Sequence, residues 1–517
     1  MNDDLGKREA ELIAARRNNL AALVERGHDP FRATRFEVTA HAADLAARYG
    51  SLGPEERDES VRWRIAGRVM SQRGPFADLS DRTGRFQLYF KKDELGADFT
   101  LLKLLDRGDF LGAEGFVFRT KMGDLALHVT AFSVLGKGLA PLPDKWHGLQ
   151  DVEKRYRQRY VDLVVNPHVR DVFIARSRIV AEMRRFIDGQ GFFECETPVL
   201  INIAGGASAR PFLTRSNALD IPLTMRIATE LYLKRLIVGG MERVYEIGRI
   251  FRNEGIDTTH NPEFTMLELY AAYWNVEDMM RFNEALFAHL VREIHGGDSL
   301  SYGELAVSFK TPFARIGYLE AMKEYGGLER EQLLDFAGAR AILRDFGIPD
   351  SPTHAHALDK IFERVVEPRL LNPTFVYGYP VVLSPLAKRM PHDPELTERY
   401  ELFGAYMELA NAFTELNDPD DQRRRFELQI AEKAAGDEEI PPPDWDFVAA
   451  LEVGMPPTAG IGVGVDRLVM LLTNNTSIRD VVLFPTQRPL VHGPAQVAQA
   501  PQTAVAVGSV DVAGSKA

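Results

Sequence analysis

A dense group of polar side chains occupies residues 251–270, whose sequence is FRNEGIDTTHNPEFTMLELY. One guanidinium, one imidazole, four carboxylates and a phenol lie there between two apolar runs of strand-like period. Burying so many polar groups is unfavourable unless they acquire partners, so the segment predicts a binding site. The Gly, the Asp and the Asn-Pro pair between the runs are typical of a loop, and we therefore predict an antiparallel hairpin with a long loop.

Side-chain alternation along the second strand separates a polar face from a core face. A period of two gives the polar face four side chains, Phe264, Met266, Glu268 and Tyr270. The intervening side chains form the core face, Thr265, Leu267, Leu269 and Ala271. On the first strand Arg252 and Glu254 share the side near Glu268, where a planar cation suits a carboxylate or a phosphate. The alternative is a ladder of surface salt bridges at a sheet edge.

Two further stretches favour a ligand site. Gly460, Gly462 and Gly464 alternate in GIGVGVDRLVMLL, so a strand that lacks side chains on one face leads into a helix that opens with Asp466 and Arg467. Backbone can then approach a flat ligand closely. Upstream, an amphipathic helix over about 169–191 precedes GFFECETPVL, which has a proline near its end.

Together these stretches resemble motifs 1, 2 and 3 of the class II aminoacyl-tRNA synthetases, at about 185–200, 226–271 and 460–473. The resemblance covers about residues 1–490, and its details are similar to the lysyl family of the aspartyl, asparaginyl and lysyl subgroup. It implies an α+β protein with an N-terminal OB-fold β-barrel and a class II catalytic domain, an antiparallel sheet of six or seven strands flanked by helices. The implied reaction joins lysine to the α-phosphate of ATP, releases pyrophosphate, and passes the acyl group to the 3′ end of tRNA(Lys) without a protein nucleophile.

The resemblance assigns an ATP site and two catalytic cations. Arg252 would hold the amino-acid carboxylate and the α-phosphate, and Arg467 would lie over the adenine near the γ-phosphate. The implied ATP contacts are Arg252, Glu254, His260, Asn261, Phe264, Glu401, Glu408 and Arg467. The alternatives are a core ring at Phe264 and an ordinary loop histidine at His260.

The residue types favour a cationic amino acid as substrate. Glu268 and Tyr270 share one face, and NAFTELND places Asn411, Phe413 and Glu415 on one strand face, so carboxylates and a phenol suit an ammonium. An aspartate pocket would need cations, and no basic pair shares these faces. The resemblance assigns the lysine contacts to Gly206, Glu230, Arg252, Glu268, Tyr270, Asn411, Phe413 and Glu415. Alternatively, Glu415 only caps the following turn.

Glu401 and Glu408 are the implied ligands of Mg²⁺ that bridges the ATP phosphates. They would lie on opposite faces of a regular strand, so we expect a turn or bulge near Gly404 to bring them together. Residues 405–407 are Ala, Tyr and Met, where the family generally has Gly followed by Arg or Lys. Thr229 replaces the usual proline before the helix that begins with Glu230, and we expect Thr229 to cap that helix.

Composition indicates an ordinary globular protein of two or three domains, with 45% hydrophobic and 26% charged residues among 517 and a net charge of −12. A lone cysteine, Cys195, rules out an internal disulfide framework. No apolar run approaches the ~18 residues of a membrane span, and the start of the chain is charged. We expect a cytoplasmic protein that does not bind membranes.

Residues 61–92 contain eight basic and two acidic side chains, a stripe that indicates nucleic-acid binding. Five short strands with Gly turns between 61 and about 135 suit an OB barrel. The resemblance makes this barrel the anticodon-binding domain, with Phe76 and Gln87 stacking on and hydrogen bonding to a base. Alternatively, Phe76 fills the barrel. The loop over 71–76 is shorter than is usual in the family.

We predict five segments along the chain. They are a helix over 4–26 with its lead-in (1–60), the OB-fold domain (61–145), a linker (146–180), the catalytic domain (181–492) and a disordered tail (493–517). Helices at about 276–295, 316–325, 329–345 and 354–367 are predicted to interrupt the sheet. By the resemblance, motif 1 forms a homodimer interface, and the alternative is a helix packed within its own subunit.

Three rival functions remain open from the sequence. The nearest is an aspartyl or asparaginyl relative, against which the pocket charge argues. A non-catalytic OB protein with a degenerate second half would not need Arg252, His260 and Arg467 together. Transfer of lysine to lipid would require membrane segments, which the sequence lacks.

Overall fold

The computed structural model describes residues 2–143, 149–434 and 442–489, and the chain forms two compact units. The first unit comprises the chain up to residue 155 with residues 160–166, and the second comprises 156–159 and the chain from 167 onwards. The predicted disordered tail, 493–517, lies outside the described residues. No helix in the described part of the chain is long and apolar enough to cross a bilayer.

The first unit is built on a closed five-stranded barrel, as predicted, with strand order β1-β2-β3-β5-β4. Its strands are Arg57–Arg73 (β1), Phe76–Ser80 (β2), Arg85–Phe90 (β3), Phe110–Arg119 (β4) and Leu125–Gly136 (β5). Leu88, Leu111, Val117 and Leu127 point inward and are fully buried. Gly115 allows β4 to lie close to β5, because a Cβ at this position would overlap the carbonyl oxygen of His128.

Helices Asn2–Glu25 (α1), Ala42–Arg48 (α2) and Lys92–Leu95 (α3) belong to the first unit with the barrel, as does a 3-10 helix over Gly96–Leu104. Helices Val152–Arg157 (α4) and Arg159–Val165 (α5) follow the barrel in the chain. The buried side chain of Arg16 fixes α1, since its guanidinium donates to the carbonyl oxygens of Gly138 at 2.6 Å and Arg107 at 3.0 Å. The predicted N-terminal helix is therefore present.

The second unit contains a mixed sheet of eight strands. The strands of the whole unit, β6 to β18, are in chain order Phe193–Glu194, Leu200–Ile201, Leu213–Ser216, Ile221–Met225, Arg243–Phe251, Glu263–Ala272, Ser299–Tyr302, Leu305–Ser308, Ala314–Gly317, Thr374–Tyr377, Arg399–Gly404, Met407–Thr414 and Thr458–Gly464. The main sheet has the order β14-β15-β16-β17-β18-β11-β10-β6, and small sheets β7-β9-β8 and β12-β13 lie beside it.

The predicted sheet of six or seven antiparallel strands is correct for the interior and incomplete at the edges. The interior strands β15, β16, β17, β18, β11 and β10 pair antiparallel with their neighbours. The edge strands β14 and β6 each add one parallel pairing. The edge strands have only four and two residues, and segments so short show no readable alternation.

Helices flank this sheet. In chain order α6 to α16 are Pro167–Gly189, Glu230–Val238, Val276–His295, Tyr318–Gly326, Arg330–Leu334, Phe336–Asp345, His354–Val365, Pro419–Ala434, Trp445–Val453, Val465–Leu472 and Ile478–Val481. Short 3-10 helices lie at Glu367–Arg369 and Val381–Leu383. The single helix predicted over 329–345 is wrong, because Asp335 is extended and its side chain accepts from the N–H of Gly338, which starts a new helix.

One face of the sheet packs on α6, α8 and α15. Leu267, Leu269 and Ala271 of β11 are fully buried there, in the same core as Ile179 of α6 and Leu286 of α8. The core face predicted for this strand is confirmed for these three residues, whereas Thr265 is only half-buried and accepts a hydrogen bond from Arg176 at 3.0 Å. The opposite face of β11 is therefore free to carry a site.

Candidate active site

The hairpin β10–β11 supplies the centre of the site. Its register pairs Glu246 with Glu268 and Ile250 with Phe264, and residues 252–262 form the connecting loop, as predicted. The side chains of the polar face line two neighbouring cavities. Of the core face, Leu267, Leu269 and Ala271 are buried in the core, and Thr265 lines the second cavity. A surface ladder of salt bridges does not account for this arrangement, because Glu268 and Tyr270 are only 4% and 3% exposed.

The glycine strand β18 lies between β11 and β17. Gly460 is paired with Tyr270 and Phe413, and Gly462 is paired with Glu268 and Asn411. A Cβ at Gly460 would overlap the ring of Tyr270 and a carboxylate oxygen of Glu415, so only glycine leaves room for these side chains.

The first cavity has a volume of about 330 Å³. It brings together seven residues of the predicted lysine site, Gly206, Glu230, Arg252, Glu268, Tyr270, Asn411 and Phe413. Glu415, the eighth, lies behind this wall and does not line the cavity. It is fully buried, so it does not merely cap an exposed turn.

The second cavity has a volume of about 280 Å³ and shares Arg252, Met266, Asn411 and Gly462 with the first. It brings together seven residues of the predicted ATP site, Arg252, Glu254, His260, Asn261, Phe264, Glu408 and Arg467. Glu401, the eighth, lines neither cavity. Phe264 lies at the cavity wall and not in the core.

Arg252 stands where the two cavities meet. Its Nε donates to the carbonyl oxygen of Ile227 at 3.4 Å, and among the described residues its two Nη groups have no protein hydrogen bond. Burial lowers the pKa of Arg252, and the charges of Glu254, Glu408 and Glu268 oppose that shift. The guanidinium is therefore charged and available to an anion that spans both cavities.

Arg467 and His260 tie the hairpin loop to α15. Arg467 Nη1 donates to a carboxylate oxygen of Glu408 at 3.1 Å, and Nη2 lies 3.1 Å from His260 Nε2. His260 Nδ1 lies 2.8 Å from Asp257 Oδ2. Burial acts to raise the pKa of Asp257, but hydrogen bonds from the Thr259 and His260 backbone and the His260 ring lower it to about 2. His260 is thus an oriented residue of the second cavity.

Buried carboxylates make the first cavity acidic. Glu268 accepts a hydrogen bond from the N–H of Thr229 at 2.9 Å and one from the hydroxyl of Tyr270 at 3.2 Å. Burial and the charge of Glu230 raise the pKa of Glu268 to about 7. Burial also raises the pKa values of Glu230 and Glu415. A cation bound here would keep all three ionised.

Three features of this cavity were not predicted from the sequence. Thr229 makes no side-chain cap, because its backbone is helical and not extended as an N-cap requires, and its N–H donates to Glu268. Lys234, which was not predicted, pairs with Glu230 at 2.5 Å and with Glu415. Arg399 also lines the cavity, although it is a single cation paired with a carboxylate, not the basic pair of an aspartate pocket.

Glu401 and Glu408 lie on the hairpin β16–β17, which has the predicted irregularity. The register shifts between Leu402 and Phe403, and residues 405 and 406 form the turn. Glu401 accepts from Arg399 at 2.5 Å and from Tyr379 at 2.8 Å. Burial and the charge of Glu408 raise the pKa of Glu401, and Arg399 opposes them. Within the described residues, no group of three or more side chains is arranged to hold a metal.

Met407 and its neighbours depart from the family pattern at this hairpin. The Met407 side chain is buried in the core, where its sulfur accepts from the hydroxyl of Tyr302 at 3.6 Å. Position 407 therefore lies outside both cavities. Ala405 and Tyr406 adopt positive φ angles of 51° and 62°, a conformation that favours glycine.

The barrel carries a separate patch of aromatic side chains on its outer face. Phe76 packs on Tyr89 with ring centroids 4.9 Å apart, and it is not part of the barrel core. Gln87 lies on the same face of β3 as Tyr89. The alternative in which Phe76 fills the barrel is therefore wrong. Residues 74 and 75 alone connect β1 to β2.

Known proteins share both units of this chain. The family model described as tRNA synthetases class II (D, K and N) matches residues 151–488, and that of the OB-fold nucleic acid binding domain matches 63–135. The lysine–tRNA ligase of Bacillus subtilis is 51% identical over 484 residues, 92% of this chain and 97% of the relative. That of Halalkalibacterium halodurans is 50% identical over 496 residues, 94% and 98% of the two chains. The motifs, the cavities between them and these matches establish that the chain belongs to the class II tRNA synthetases of the D, K and N group.

Proposed function

We propose that the chain is a lysine–tRNA ligase. It activates L-lysine with ATP to give lysyl-adenylate and pyrophosphate, and it then transfers lysine to the 3′ end of tRNA(Lys). The observation that carries this proposal is an acidic cavity with Glu230, Glu268 and Tyr270 in its wall, joined at Arg252 to a second cavity. The two lysine–tRNA ligases at about 50% identity support the same substrate.

The first cavity receives lysine. The ε-ammonium lies between Glu268 and Tyr270, because both line the cavity and the raised pKa of Glu268 marks a carboxylate that a bound cation would stabilise in its ionised form. Glu230 and Gly206 receive the α-ammonium, and Asn411, Phe413 and Glu415 complete the surroundings. The α-carboxylate then faces Arg252. Aspartate would instead bring a carboxylate towards Glu268, which is unfavourable in a buried site.

The second cavity receives ATP. Phe264 stacks under the adenine and Arg467 lies over it, while Glu254 and Asn261 contact the adenosine. His260 and Arg467 bind the triphosphate, and ATP must then displace Arg467 from Glu408. Glu408 lines this cavity, whereas Glu401 accepts from Arg399 and Tyr379. Both are oxygen donors of the kind that Mg²⁺ uses together with phosphates and water, so Glu408 would hold it, together with Glu401 once Glu401 leaves Arg399. When bound, Mg²⁺ supplies charge neutralisation at the phosphates.

Positioning and charge stabilisation account for the chemistry. Arg252 binds the lysine carboxylate and the α-phosphate at once, which brings nucleophile and phosphorus together and stabilises charge on the phosphate as the new bond forms. Pyrophosphate leaves towards His260 and Arg467. The terminal hydroxyl of tRNA then attacks the acyl carbon, and AMP leaves. No protein group forms a covalent bond in either step.

The barrel, residues 61–145, binds the anticodon loop, and residues 181–492 form the catalytic domain after a linker, 146–180. Phe76 stacks on one base and Gln87 hydrogen bonds to its edge. A homodimer forms through motif 1, for which exposed apolar side chains around α6 and the following strands, such as Ile174, Phe193 and Leu200, provide surface. The enzyme acts in the cytoplasm, where tRNA is charged.

Amino-acid-dependent pyrophosphate exchange tests the proposal. We expect exchange with L-lysine and little with L-aspartate, L-asparagine or L-ornithine. Exchange driven by aspartate or asparagine and not by lysine would reverse the assignment. Arg252→Ala should abolish exchange while leaving the fold intact by circular dichroism, and full activity in that variant would show that the active site lies elsewhere. The absence of exchange with any amino acid would favour a non-catalytic RNA-binding protein.

A further inference from the structure

Lys234 is an internal ammonium group placed behind the acidic wall of the first cavity. It lies on α7, one turn after Glu230, and its side chain is 0% exposed. Its Nζ is 2.5 Å from Glu230 Oε1, forms an ion pair with Glu415 Oε2, and lies 5.3 Å from the ring centroid of Phe413. Lys234 itself lines neither cavity. It is therefore not exchanged for a ligand but remains a fixed part of the wall.

Each carboxylate bound to Lys234 keeps a second oxygen on the cavity side. Glu230 Oε2 lies close to Gly206, and Glu415 Oε1 lies against Gly460. Both glycines line the first cavity. Lys234 thus binds the rear oxygens of Glu230 and Glu415 and leaves their second oxygens beside Gly206 and Gly460.

The formal charges around Lys234 match a ligand with two ammonium groups. The groups that face it are Glu230 on its own helix and Glu415 after β17. These two carboxylates in turn interact with Glu268 and Tyr270 on β11. Three carboxylates and one ammonium leave two negative charges. Asp359 and Arg399 also line the cavity, and Arg399 is paired with Glu401. The charge of Arg399 acts on Glu230 as well as on Asp359, and the charge of Glu401 offsets that of Arg399.

We propose that Lys234 is a positioning residue that fits the cavity to a dicationic amino acid. It keeps Glu230 and Glu415 ionised and separated, so that Glu230 receives the α-ammonium and Glu415 adds negative charge behind Glu268 and Tyr270, which receive the ε-ammonium. This inference rests on the proposed lysine specificity. Without Lys234 the two carboxylates repel each other in a buried site, and one takes up a proton and turns from its position. A protonated carboxyl is a poorer acceptor for an ammonium group.

If Lys234 acts through its charge, the effects of substitutions should follow the net charge of the site, which would not be expected if Lys234 only filled space. Lys234→Met leaves three negative charges, Glu415→Gln leaves one, and the double variant Lys234→Met/Glu415→Gln restores two. We therefore expect each single variant to raise the KM for lysine at least about tenfold and the double variant to bind lysine better than either single variant. The KM for ATP should stay within about twofold in all three, since Lys234 and Glu415 do not line the second cavity.

The experiment measures pyrophosphate exchange of the full-length wild type and the three variants, with circular dichroism as a check of folding. Rescue in the double variant supports the inference. A lysine KM in Lys234→Met within about twofold of wild type, or a double variant no better than Glu415→Gln, overturns it. If Lys234→Met does not fold, the KM for lysine of Glu415→Gln is compared with that of the double variant, and this comparison alone tests the inference. Failure of the wild type to exchange with lysine would instead refute the proposed function.

Discussion

Replacing Glu268 by glutamine should change stability and lysine binding in opposite directions. In the empty protein this carboxyl group is buried between Thr229 and Tyr270, and its pKa is raised to about 7. A glutamine fits the same space, can accept from the N–H of Thr229, and can donate to the oxygen of Tyr270. Glu268→Gln therefore removes a buried charge without removing the hydrogen bonds of its neighbours.

The pKa shift of Glu268 sets the size of the stability change. Raising the pKa from 4.5 to about 7 means that ionised Glu268 costs about 3 kcal/mol at pH 8. Between pH 4.5 and 7 the folded protein binds a proton on Glu268 that the unfolded chain has released, so this group lowers the free energy of unfolding as pH rises through that window. We expect Glu268→Gln to stabilise the empty protein by about 1 to 3 kcal/mol at pH 8 and by little at pH 4.5.

Lysine binding should weaken in the same variant. Removing one partner of a buried charge pair costs about 2 to 5 kcal/mol, which raises the KM for lysine roughly thirty- to several thousandfold. Thermal unfolding without ligand and pyrophosphate exchange measure the two effects. Glu263→Gln is the matched control, because Glu263 lies on the same strand but is exposed. A Glu268→Gln protein that is less stable at pH 8, or that keeps the wild-type KM for lysine, would refute this reasoning.

Other residues give independent tests. Gly460→Ala should raise the KM for lysine and lower stability by about 1 to 3 kcal/mol, because its Cβ overlaps Tyr270; unchanged lysine kinetics would contradict this. Ala405→Gly should raise the free energy of unfolding by about 0.5 to 1 kcal/mol, since residue 405 has a φ of 51°, and an unchanged or lower denaturant midpoint would count against it. Phe76→Ala should raise the KM for tRNA roughly five- to hundredfold and leave pyrophosphate exchange unchanged, whereas Tyr89→Phe, its control, should alter neither.

The parts of the site that the sequence could predict are those with a regular repeat. The alternation from Phe264 to Tyr270 and the glycine row of β18 place side chains by strand geometry alone, and the structure has them as expected. The irregularity between Glu401 and Glu408 was predictable because a regular strand would have separated them. The short edge strands β6 and β14 carried no comparable signal.

Lys234 shows what the sequence could not predict. A Glu and a Lys four residues apart on a helix usually form an exposed pair, and the pattern alone does not distinguish that pair from a buried one. Burial follows from the packing of α7 on β11 and from Glu415, which is distant in sequence. The position of Arg399 beside the site could have been predicted from strand periodicity, because Arg399 lies two residues before Glu401 on the same face.

A crystal structure with a non-hydrolysable lysyl-adenylate analogue tests the central claim most directly. The account predicts the ε-ammonium within hydrogen-bonding distance of Glu268 and Tyr270, the phosphate on Arg252, and the adenine between Phe264 and Arg467. An analogue whose ε-ammonium points away from Glu268, or whose phosphate does not contact Arg252, would contradict it.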